Sequence, residues 1–223
     1  MRLTHFFGFA AVLASVVLPS HLAGSITYLV TANTSGISGQ SGYLDLQLEP
    51  GPSATNLATA TVTHFSGTGT LSGSATLTGD VTGQLPGTLS FDNKTVFNDY
   101  FQGMTFGTTE SFDVTLNGPS PAGGAESAFN ISFYASDQST SLLTVSPDGD
   151  AGQITINPDG STAPSTYAAT VNGASALSIT LVQPLNTVPE PSGFAFLALG
   201  TAFAILRKHI GNGAGSVSDL VRR

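Results

Sequence analysis

At 223 residues the chain is long enough for one domain with a sizeable core and terminal extras, and 40% apolar content excludes a wholly disordered chain. Only 9% of residues are charged and Cys is absent, which excludes a disulfide framework and a lipid-modified N-terminal cysteine, and the Gly, Ser and Thr bias argues against long helices. Between Asp45 and Glu190 thirteen acidic residues face the single cation Lys94, a formal charge of 1 − 13 = −12, which excludes nucleic acid as a partner.

The first predicted element is a secretory leader, Met1 to Ala23. Arg2 gives it a positive start, and Phe6 to Leu18 supplies an apolar run of about thirteen residues, short for a membrane span. Pro19 breaks the helix, and cleavage is expected between Ala23 and Gly24.

Strand patterns then recur to residue 183. Ile26, Tyr28 and Val30 alternate with polar or outward residues, as do Leu44, Leu46 and Leu48, and Ala58, Ala60 and Val62. The same period holds for Phe112, Val114 and Leu116, for Phe129, Ile131 and Phe133, and for Leu177, Ile179 and Leu181. Shorter runs lie at 75–77, 88–91, 142–145, 153–156 and 167–171. Ser146-Pro147-Asp148-Gly149 and Asn157-Pro158-Asp159-Gly160 carry turn chemistry, Pro presetting φ and Gly accepting positive φ, and they predict a meander of about three strands. About ten short strands with such turns predict an all-β domain over 24–183, a two-sheet sandwich or jelly-roll-like fold with its Thr-rich stripe toward water.

The segment Phe91 to Phe101 concentrates aromatics around the lone Lys. It reads as a connection covering an open end, with Asp92, Lys94, Asp99 and Tyr100 as candidate ligand-binding residues. Catalytic residues are not found. A triad needs a His, and His64 is the only one in the domain; zinc fails for want of His and Cys. Asp92 with Asp99, or Glu110 with Asp113, are candidate carboxylate pairs for glycoside hydrolysis, but Trp is absent and the domain has no Arg. Asp137, Asp148 and Asp150 lie near loops and suit either calcium or turn hydrogen bonds, with no spacing that defines a metal loop. Thr59-x-Thr61-x-Thr63 and Thr76-x-Thr78 read as solvated strand faces, and Gly67-Thr68-Gly69 as a turn with no helix after it to hold a phosphate. No cofactor motif is present.

After an expected linker at 184–192 comes Val188-Pro189-Glu190-Pro191, then an apolar stretch from Gly193 to Leu206, then Arg207-Lys208, with a tail at 209–223. A helix from Pro191 to Lys208 would rise about 27 Å, roughly one hydrocarbon core. The span 193–208 is therefore expected to be a single transmembrane helix with its basic stop. This arrangement resembles the PEP-CTERM sorting signal of Gram-negative bacteria, a segment also labelled the ice-binding protein C-terminal domain. The resemblance implies recognition through Val188, Pro189, Glu190 and Pro191, a stop at Arg207 and Lys208, and the export machinery and an exosortase-type membrane enzyme as partners. It also implies a host that makes exopolysaccharide or biofilm. The span 25–183 resembles an uncharacterised PEP-CTERM protein family, sharing Tyr28-Leu29-Val30 with Thr34-Ser35, and Phe106-Gly107 with Phe112 and Val114. The resulting expectation is an exported, non-enzymatic surface or matrix protein, anchored and then displayed or released, in contact with polysaccharide. A hydrolase using paired carboxylates and a calcium- or ligand-binding adhesion module are the alternatives.

Overall fold

The computed structural model describes residues 24–51, 57–120 and 124–182. The leader up to Ala23, the PEP motif, the expected membrane helix, its basic stop and the tail lie outside the described residues. Among the described residues no helix is long and apolar enough to cross a membrane.

Among the described residues the chain forms sixteen strands in order. The first eight are β1 (Ile26–Asn33), β2 (Ser41–Glu49), β3 (Leu57–Gly67), β4 (Thr70–Leu71), β5 (Thr76–Thr78), β6 (Val81–Gly83), β7 (Leu89–Asp92) and β8 (Asp99–Thr105). Then follow β9 (Thr109–Ser120), β10 (Ser127–Ala135), β11 (Ser141–Leu142), β12 (Asp150–Ile156), β13 (Thr162–Thr166), β14 (Thr170–Val171), β15 (Ala174–Ser175) and β16 (Leu177–Leu181). The first sheet has the order β16-β1-β9-β3-β7-β6; the second runs β13-β12-β10-β2-β8-β4, with β11 on β10 and β5 on β8. Every pairing is antiparallel, and β14 and β15 form a separate hairpin.

The expected alternation selects these strands. Leu44, Leu46 and Leu48 of β2 are buried, as are Phe112, Val114 and Leu116 of β9 and Phe129, Ile131 and Phe133 of β10. Both sheets feed one core: Phe91 of the first packs edge-on against Phe129 of the second, with centroids 5.6 Å apart. Tyr28 Oη on β1 and Thr162 Oγ1 on β13 hydrogen-bond at 2.7 Å, tying the sheets together at one edge. The two Pro-Asp-Gly turns form as expected. Gly149 (φ +92) donates to Ser146 O, and Gly160 (φ +84) donates to Asn157 O at 2.9 Å.

Three expectations are corrected. The segment 91–101 is not merely a connection: Asp99 to Phe101 opens β8, which is paired along its length with β2. Its inward stripe is Tyr100, Gln102 and Met104, and the polar Gln102 hid the period. Gln102 is tolerated inside because its Nε2–H donates to Ser72 O and Gly103 O, each at 2.9 Å. The predicted three-strand meander is two strands, β12 and β13, since β11 pairs with β10 instead. Tyr167 to Val171 contributes only the bridge Thr144↔Ala168 and the short β14, the longer strand lying earlier at 162–166.

Candidate functional site

On β2 the alternation that buries three leucines aims Tyr43, Asp45, Gln47 and Glu49 to the opposite face. Register extends this outer face sideways into ranks. Gln47 lies opposite Asp99 of β8 and Asn130 of β10, and Asn130 opposite Gln153 of β12. In the next rank Asp45 lies opposite Phe101 and Ser132, and Ser132 opposite Asp150. In the third, Tyr43 lies between Gly103 and Tyr134.

The third rank and Phe101 form an aromatic strip. Tyr43 stacks on Phe101 with centroids 4.5 Å apart and planes 13° from parallel, and Phe101 meets Tyr134 at 6.1 Å. All three rings are partly exposed. The amide rank is laced together: Gln153 Nε2–H donates to Asn130 Oδ1 at 3.0 Å, and Gln47 Nε2–H donates to Asp45 Oδ2 at 2.8 Å. Beyond Gln153 the face ends in a pocket of about 440 Å³, lined by Glu49, Gly51, Glu126, Ser127 and Thr155 among others.

The carboxyls are the electrostatic centre of this face. Asp45 is 4% exposed, and its Oδ1, like Asp99 Oδ1, is buried without a hydrogen-bond donor. Burial, then a hydrogen bond to Asp99 and the charges of Asp99 and Asp150, push Asp45 up to about 9 against the pull of the Gln47 amide. Burial also raises Asp99, while its bond to Asp45 opposes the shift. Neighbouring carboxyls with no cation between them among the described residues favour one shared proton over two charges. Asp150 is raised by burial as well, although Ser132 Oγ–H donates to its Oδ1 at 2.8 Å.

The four ligand-binding candidates do not assemble. Asp92 and Lys94 pair with each other at the end of β7, where the Lys94 backbone N–H also donates to Asp92 Oδ1 at 3.0 Å. Asp99 and Tyr100 are consecutive on β8 and so face opposite ways. Tyr100 is buried in the core, accepting from Leu85 N–H and donating to Gln102 Oε1, both at 3.0 Å. Only Asp99 belongs to the outer face.

The carboxylate pairs are separated too. Asp92 and Asp99 lie in different sheets. Glu110 and Asp113 are three residues apart on β9 and face opposite ways: Glu110 turns inward to accept from Gly69 N–H at 3.0 Å and Gly107 N–H at 3.2 Å, and Asp113 meets the exposed His64 Nδ1 at 2.9 Å. Burial raises Glu110 against the pull of those two amides. Asp137 is a turn residue, accepting from Ser139 N–H, Thr140 N–H and Thr140 Oγ1–H, which lower it to about 2. No cluster of three potential metal ligands occurs among the described residues. The outer face of the first sheet carries the Thr stripe, where Thr27 and Thr115 hydroxyls bond each other at 2.9 Å and Asn117 Nδ2–H donates to Thr59 Oγ1 at 3.0 Å.

The chain matches no family model, no curated protein and no solved structure. The sequence reading missed Asp45 and the aromatic strip. The only available signal was a carboxylate in the middle of an apolar strand, Leu44-Asp45-Leu46.

Proposed function

We propose that this chain is an exported, non-enzymatic surface protein, sorted through its PEP-CTERM-like end, whose two-sheet, jelly-roll-like β-sandwich contacts polysaccharide. The observation that carries the binding part is the outer face of the second sheet. An aromatic strip lies beside ranks of planar amides and carboxyls. Pyranose rings combine an apolar C–H face with a rim of hydroxyls, and such a surface offers stacking for the one and bidentate hydrogen bonding for the other. The address rests on Val188 to Pro191, the apolar stretch after it and Arg207-Lys208.

The test is binding of the full chain to a panel of soluble bacterial polysaccharides by calorimetry, with Tyr43→Ala and Phe101→Ala as comparisons. Binding weakened about tenfold or more by either substitution is the expected result. A chain that retains none of the panel, or binds equally well without both rings, would sink the proposal.

One feature favours a hydrolase as a second reading, namely the Asp45 carboxyl raised by burial and by its neighbour Asp99. Against it, glycosidase carboxyls stand about 5–9.5 Å apart with the sugar between them, whereas this pair is in hydrogen-bond contact. Absence of turnover on the glycans that bind is the expected result.

A further inference from the structure

The binding face is short of positive charge. Among residues 24–182 twelve carboxylates face one Lys and no Arg, a formal charge of 1 − 12 = −11, and that Lys94 is already paired with Asp92. Among the described residues no Lys or Arg is therefore left to neutralise Asp45, Asp99 and Asp150. A buried carboxylate without a partner is costly, and Asp45 and Asp99 each leave one buried oxygen without a donor. A proton relieves the pair in the free protein. A ligand that brings positive charge relieves it better, because it offsets the charge of both carboxylates and also draws on Asp150, in the rank of Asp45.

Charge also sorts the polysaccharides. An acidic glycan would meet a repulsive field, and a neutral one would leave the carboxyls uncompensated. We infer that this face recognises an amino-polysaccharide, a glycan whose sugars carry free ammonium groups, with the ammonium directed to the Asp45–Asp99 pair and the ring stacked on the Tyr43–Phe101 strip. An ammonium brings three donors and a full charge, and partly exposed aromatic rings beside it add a cation–π attraction. This inference rests on the polysaccharide-binding reading and narrows its ligand class. Asp45 itself is covered, so it acts by charge through the exposed edge of Asp99, and ammonium binding releases the shared proton.

The experiment uses the full chain in neutral detergent and three soluble probes: a chitosan oligosaccharide, its fully N-acetylated counterpart and alginate. Binding is followed by calorimetry at pH 6 in two buffers of different ionisation enthalpy. The chitosan oligosaccharide is expected to bind with proton release and at least tenfold more tightly than the acetylated form, and alginate is not expected to bind. Asp45→Asn with Asp99→Asn should lower the chitosan affinity at least tenfold and abolish proton release. Asp137→Asn with Asp159→Asn removes at least as much charge from exposed turns and should change affinity less than twofold. Circular dichroism checks that both variants fold.

Equal affinity for the acetylated probe would overturn the ammonium inference while leaving polysaccharide binding intact. Equal losses in the two double variants would also overturn it, showing attraction to a polyanion rather than recognition at this pair. If no probe binds and the wider panel also fails, the polysaccharide reading itself falls.

Discussion

Asp45→Asn is expected to stabilise this protein, and by an amount that depends on pH. Burial and Asp99 raise the Asp45 carboxyl from 3.8 to about 9 in the fold. Between those values the folded state holds a proton that the unfolded chain has released, so the stability contributed by this group is greatest below pH 3.8 and falls as pH rises. At pH 7 the loss covers roughly 3 pKa units, on the order of 4 kcal/mol at about 1.4 kcal/mol each. Asparagine cannot ionise and so avoids that loss. It forfeits part of the Gln47 hydrogen bond, about 1 kcal/mol, leaving a net gain of about 3 kcal/mol at pH 7 and little or none at pH 4. The assay is urea unfolding of both proteins, followed by far-ultraviolet circular dichroism, at pH 4 to 8 without glycan. A wild-type stability that stays level or climbs across this range, or a variant no more stable at pH 7 than at pH 4, would refute the shared-proton arrangement.

The other predictions concern core, cap and address. Val114→Asp puts an unpaired charge where exposure is 0%, and should cost at least about 4 kcal/mol and abolish the cooperative thermal transition. Glu110→Ala leaves the amides of Gly69 and Gly107 without their acceptor and should cost about 2–4 kcal/mol in urea unfolding, with Glu110→Gln costing less. His64→Ala removes a pair whose His side chain is 80% exposed, so its stability should match wild type within about 0.5 kcal/mol. In a host with exosortase, the intact mass of the surface form should correspond to a chain from near Gly24 to near residue 190; replacing Pro189-Glu190-Pro191 by alanines should leave full-length protein in the membrane. A surface form that retains residues 193–223 would reduce the segment to an anchor.

The long strands were legible because each sets apolar residues against Thr, Asn, Gln or Asp at period two, as Leu44 to Leu48 do. Strand β8 was not legible, since Gln102 lies on its inner stripe and is made acceptable only by carbonyls supplied from Ser72 and Gly103. The turns after Ser146 and Asn157 were read correctly because Pro and Gly fix them locally. The site was largely hidden for the opposite reason. Asp45 and Asp99 are far apart in sequence, and only the β2–β8 register brings them together. Asp92 and Lys94 looked like a site because they are neighbours in sequence, and their charges are spent on each other.

The placement of β1 between β9 and β16 governs the order in which the chain becomes a structure. The first strand to leave the ribosome gains one neighbour only once the chain has passed Thr109, and the other only after Leu177. At about 5–20 residues per second the second wait lasts on the order of ten seconds. Until β9 is available both edges of β1 carry unpaired amides and carbonyls, and until β16 follows one edge still does, open to pairing with another chain. A chaperone that holds the nascent amino-terminal half, or a pore that keeps it threaded, would therefore raise the yield of native protein. Chains interrupted before residue 177 should aggregate even though almost all of the core residues are already present.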